Sequence, residues 1–144
     1  MKLQQLARLL GYAGLIPFIV FSVATWISLP GVNDPHLILT SYAPMILAFM
    51  GAIHWGVAMS RESAIANAEL GLSVLPALLA WLALLIPTLL AYGLLIFGFA
   101  VLYWADSYTN RWGILPEWYL PMRRGLTAVV LLCLFAAALA LVTA

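Results

Sequence analysis

Charge is what this sequence has least of. Asp, Glu, Lys and Arg make up 8% of its 144 residues, against roughly a quarter in an ordinary soluble domain. Hydrophobic residues make up 66%, with a mean hydropathy of +1.09. That leaves too little polar surface to cover a water-facing globule, so lipid is expected to be the main solvent. In lipid the backbone must satisfy its own hydrogen bonds, which allows only helices or a closed barrel. The short alternating apolar and polar segments of a barrel are missing, and the long, nearly uniform apolar runs mean helices. A single cysteine, Cys133, excludes an intrachain disulfide. A net charge of +1 offers no basis for nucleic-acid binding. Glycine-rich phosphate loops, nucleophile motifs and the three or four clustered ligands of a zinc site are lacking too. With His36 expected in an outer loop, one chain cannot hold a haem between two histidines. No cofactor and no metal is therefore expected.

What is present is a series of apolar runs punctuated by turn residues. They predict an all-α, polytopic helical bundle forming one domain, with transmembrane helices at about 9–29, 38–59, 70–86, 88–105 and 122–143. Ser22-Val23-Ala24 loosely fits a cleavage site, but apolar character continues through Trp26-Ile27, which favours a retained helix bent at Pro17. Pro30 to Pro35 is a dense turn signal, and residues 61–69 read as a short polar loop. Pro87 separates the third and fourth runs so narrowly that they should form a tight hairpin. The segment Asp106 to Pro121 mixes aromatic and polar residues, as expected along a membrane surface.

The basic residues are Lys2, Arg8, Arg61, Arg111, Arg123 and Arg124. With the amino terminus inside, all six fall on the inner side and none on the outer. This asymmetry predicts an inside amino terminus and an outside carboxyl terminus.

The second run, Met45 to Arg61, carries His54 roughly 10 Å from its charged end. A polar ring at that depth is costly unless a neighbour bonds it. Helical spacing aligns Leu47, Gly51, His54, Ala58 and Arg61 on one face. Beside them Ala48, Ala52 and Gly56 form a stripe of small residues that permits close helix packing. Asp106 ends the fourth run on the same side, with Tyr103 one turn earlier. These residues suggest an inner-leaflet pocket with His54 deepest, Trp55, Tyr103 and Asp106 near it, and Arg61 and Arg123 converging on that leaflet. Three readings of His54 stay open: an interhelical bond that holds the bundle, a ligand- or proton-handling role, and contact with a partner protein.

Several short patterns carry a resemblance: Gly51-x-x-His54-Trp55-Gly56, Leu75-Pro76 followed by Trp81, and Leu115-Pro116-x-Trp118-Tyr119 with Arg123 and Leu126-Thr127. Together with Leu10-Gly11-Tyr12-x-Gly14-Leu15-Ile16-Pro17-Phe18, they resemble an uncharacterised proteobacterial and mitochondrial membrane family, transmembrane protein 69-like. The resemblance covers nearly the whole chain. It implies a small multi-pass protein of a bacterial inner membrane or its mitochondrial counterpart, and it implies no activity. Without a mitochondrial presequence, the bacterial inner membrane is the expected location.

The scarcity of polar residues inside the membrane suggests a non-catalytic scaffold or accessory subunit. Its partners would be the bilayer and either a membrane protein or further copies of itself. A different reading is a binder of a lipophilic, quinone-like or lipid ligand around His54 and Asp106. A small transporter or channel would need an oligomer to build its polar path.

Overall fold

A computed structural model describes residues 2–60 and 66–144, and every regular element among them is an α-helix. These are α1 (Leu3–Ala13), α2 (Ile16–Ala24), α3 (Pro35–Ser60), α4 (Ala66–Ala83), α5 (Thr88–Asn110) and α6 (Tyr119–Thr143). Counting α1 and α2 as one span, Leu3–Ala24, five helices are long and apolar enough to cross a membrane. The chain is thus an all-α, multi-pass membrane bundle.

α3 is the hub, packing against α2, α4 and α5, while α6 closes the bundle against α5 and α2. Two glycines set the closest approaches. A Cβ on Gly51 of α3 would lie 2.7 Å from Pro76 Cβ of α4, and a Cβ on Gly98 of α5 would lie 2.8 Å from Leu47 Cδ2 of α3. Neither gap admits an alanine without a shift. Pro76 lies inside α4 and Pro44 inside α3, so each removes one backbone donor from its own helix. The shared core holds Phe18, Leu39, Leu47, Tyr92, Leu95 and Leu134, all almost fully enclosed. Large apolar side chains such as Leu37, Leu90 and Leu132 point outward, as they can where the solvent is acyl chain.

The helix bounds differ from the sequence expectation at informative places. Helix formation starts at Leu3, ahead of the start expected at about residue 9. The first span breaks at Gly14-Leu15, three residues ahead of the bend expected at Pro17. Proline lacks an N–H and fits the first turn of a new helix, and Pro17 sits at the second position of α2. Across the break Leu15 N–H donates to Tyr12 O at 3.1 Å, and the Tyr42 hydroxyl of α3 donates to the Gly14 carbonyl at 2.8 Å. His36 belongs to the first turn of α3 rather than to a loop, and its Nδ1 lies 2.8 Å from the Tyr92 hydroxyl.

Two expected surface segments turn out to be helical. α5 runs on through Asp106 to Asn110, because no breaker occurs before Gly113 and Pro116, so Asp106 lies inside the helix and not at its end. At the start of the third span, Ala66 to Glu69 forms the first turn of α4 and was expected as loop. Residues 61–65, the remainder of that expected loop, lie outside the described residues.

Candidate functional site

One chain of buried polar groups crosses the bundle, with one or two residues from each of four helices. His54 of α3 is 1% exposed. Its Nδ1 lies 2.5 Å from Glu69 Oε2 of α4, and its Nε2 lies 2.8 Å from Asp106 Oδ1 of α5. Asp106 uses its other oxygen, Oδ2, to accept from Arg123 Nε of α6 at 2.8 Å. At the far end the Thr109 hydroxyl, one turn beyond Asp106 on α5, donates to Glu69 Oε1. The order is Thr109, Glu69, His54, Asp106, Arg123, and every member is at most 3% exposed.

Local sequence explains each placement. Glu69, Ser73, Pro76, Ala80 and Ala83 are the buried residues of α4 and recur every three or four positions, so they form one inward face. Asp106 and Thr109 continue the buried face of α5 that runs from Ala91 and Tyr92 through Leu95, Phe99 and Leu102. Arg123 lies one position from Arg124, about 100° around the helix. Arg123 is therefore enclosed, whereas Arg124 is exposed and donates from Nε to the Tyr103 hydroxyl at 3.2 Å.

Charge can be counted without deciding where each proton sits. Two imidazole nitrogens each face a carboxylate oxygen, and two hydrogen bonds need two protons. Either the ring carries both beside two carboxylates, or it carries one and a carboxylic acid carries the other. With Arg123 included, the sum is zero in both cases. The carboxylates lie on opposite sides of the ring, so they cannot chelate one ion, and no metal-holding group of His, Cys, Asp and Glu occurs among the described residues.

Beside this chain lies a cleft of about 330 Å³ between α1–α2, α3 and α6, with Phe99 of α5 among its lining. Its walls are almost wholly apolar, including Phe18, Ile53, Met122 and Leu126. Leu10 and Phe49 line it as well and are 63% and 68% exposed, so it opens toward lipid. Arg123 and Tyr119 also line it. The Arg123 Nη2 and Tyr119 hydroxyl atoms are both buried and have no hydrogen-bond partner among the described residues. Arg123 thus joins the two features: its Nε belongs to the polar chain, and its side chain, with Nη2 unpartnered among the described residues, also lines the cleft.

The structure brings together His54, Asp106 and Arg123 from the sequence-derived candidates. It does not bring Trp55 or Tyr103 to them: Trp55 is 47% exposed on the outer face of α3, and Tyr103 pairs with Arg124 on the outside. Arg61 lies outside the described residues. Of the packing candidates, Gly51 makes the close approach to α4, and Ala48 packs on the core. Ala52 and Gly56 face outward, with nothing within 4 Å of where a Gly56 side chain would begin. The pocket expected around His54 is displaced: the ring is sealed, and the open volume lies on the far side of Arg123. Glu69, Thr109 and Tyr119 are members that sequence reasoning missed. For Glu69 the signal was its spacing from Ser73 and Pro76, which extends the apolar α4 face back by one turn.

Comparison with known proteins gives a family and one partial relative. The family model described as "Protein of unknown function (DUF3429)" matches residues 3–139. Transmembrane protein 69 of Xenopus tropicalis is 40% identical over 83 residues, which is 55% of this chain and 32% of that protein. The chain therefore spans about a third of the length of that relative. No solved structure matches the chain significantly.

Proposed function

The chain belongs to the DUF3429 family of proteins of unknown function, and on that premise we propose that it is a membrane-embedded binding protein for a lipophilic small molecule. The observation that carries this reading is the lipid-facing cleft, two of whose lining residues, Arg123 and Tyr119, carry buried polar atoms without described partners in an otherwise apolar wall. A volume of about 330 Å³ falls within the usual range for small-molecule sites, roughly 300–1,000 Å³. An unsatisfied buried donor costs about 1–3 kcal/mol. A ligand with an oxygen acceptor relieves that cost while its apolar body fills the cleft. His54 then acts at one remove: through Asp106 it fixes the Arg123 guanidinium, and it touches no ligand.

The scaffold reading has less behind it. Outward-facing Ala52 and Gly56 leave α3 open to another helix but specify no partner. An axial path for transport also lacks support, because the polar chain is enclosed by its own members. The reading includes an inside amino terminus, on the strength of the basic-residue asymmetry, and a bacterial inner membrane as its location. Cysteine labelling tests that: Asn33→Cys should react from the periplasm and Asn67→Cys should not. The opposite pattern overturns the orientation.

The binding test fills the cleft without touching the polar chain. A Cβ on Gly11 would stand 3.4 Å from Leu126 Cδ1 and 3.8 Å from Met122 Sδ, so Gly11→Leu puts a side chain into the volume. Native mass spectrometry of gently purified protein should show a co-purifying lipophile that Gly11→Leu loses while still unfolding cooperatively. Equal retention by the variant, or no bound lipophile in the parent protein, counts against the reading.

A further inference from the structure

A buried arginine beside an apolar cleft suggests an anion as its ligand; the charge count argues the reverse. We propose that the cleft selects a neutral lipophile with a carbonyl oxygen, such as a quinone or a neutral ester, over a carboxylate or phosphate of the same length. This rests on the binding reading above and specifies the ligand's polar end.

The Arg123 charge is already matched. Its Nε holds Asp106, and Thr109, Glu69, His54, Asp106 and Arg123 sum to zero under either placement of the bridging protons. Arg123 is also the one charged residue among the described residues lining the cleft. An anion at Nη2 would leave an uncompensated negative charge in a low-dielectric site, and its lost hydration would go unreturned. A carbonyl oxygen brings no charge. Its two lone pairs can accept one N–H from Arg123 and one O–H from Tyr119, the two lining residues that carry a buried donor without a described partner, once those donors turn into the cleft. The rest of such a molecule is apolar, as is the wall.

A matched probe set tests the charge preference and keeps it separate from binding itself. Methyl dodecanoate, dodecanoate at pH 8 and dodecane are titrated against the full-length protein in nanodiscs of neutral lipid. Each affinity is corrected for partition into protein-free discs, and Trp118, which also lines the cleft, serves as the fluorescence reporter. Methyl dodecanoate should bind at least about tenfold more tightly than dodecanoate, equivalent to about 1.4 kcal/mol. Tyr119→Phe should weaken the ester several-fold without changing dodecane. Tighter binding of dodecanoate overturns the proposal and leaves the binding reading intact, as does dodecane binding as well as the ester. Failure of all three probes to bind overturns both.

Discussion

Removing either carboxylate from the polar chain looks equivalent on paper, since each bonds one nitrogen of the same ring. The structure predicts unequal costs. Without Glu69, one of the two bridging protons is no longer needed and leaves, and the Asp106–Arg123 pair stays balanced. Glu69→Ala then loses the partners of the His54 Nδ1 and the Thr109 hydroxyl, for about 2–3 kcal/mol. Asp106→Ala instead strands the Arg123 guanidinium, 3% exposed, with no carboxylate on its Nε. Breaking a buried pair from one side costs about 3–5 kcal/mol. Total stability of a fold is about 5–15 kcal/mol, so Asp106→Ala should bring the bundle close to unfolding. The assay is denaturant unfolding in mixed micelles, followed by tryptophan fluorescence, with exposed Glu117→Ala as the control. An ordinary interhelical hydrogen bond in a membrane averages about 0.6 kcal/mol. If both variants cost only that much, or if Glu69→Ala proves the costlier, the charge reasoning fails.

Gly51→Ala should destabilise the bundle by about 1–3 kcal/mol, because its Cβ would meet Pro76 at 2.7 Å. Gly56→Ala, with open space around it, should be neutral or gain up to about 1 kcal/mol from helix propensity; the same unfolding assay separates them, and equal effects would refute the packing assignment. Tyr42→Phe removes the hydroxyl that donates to Gly14 O across the break between α1 and α2. It should cost about 1 kcal/mol and speed amide exchange in residues 14–18 relative to α5.

The spans were legible because apolar runs of spanning length leave a bilayer helix few alternatives. So was the shared side of His54 and Asp106, since each lies near the end of a span and the two spans run in the same direction. Glu69 was not, for a physical reason: a carboxylate that is buried because it is paired looks, in one dimension, like a carboxylate in a loop. Hydropathy measures the cost of burial and says nothing of a partner fifteen positions away. Arg123 and Arg124 were both legible as basic residues near the membrane, but their different roles depend on the helix face, which required α6 to start at Tyr119. The cleft was illegible altogether. It exists because α1 and α2 meet at Gly14 and leave a gap toward α3 and α6, and no local pattern encodes a gap.

The order in which the polar chain is supplied along the sequence has a consequence for biosynthesis. The imidazole and both carboxylates emerge from the ribosome before the guanidinium, which comes only with the last helix. Until that segment inserts, the nascent bundle holds two acids and a single base in oil, and its Asp106 has an oxygen with no cation to meet. Arrival of Arg123 removes the deficit, so insertion of α6 and closure of the fold become one event. A stalled chain lacking α6 should stay loosely assembled in the membrane and be a ready target for the proteases that clear unfinished proteins.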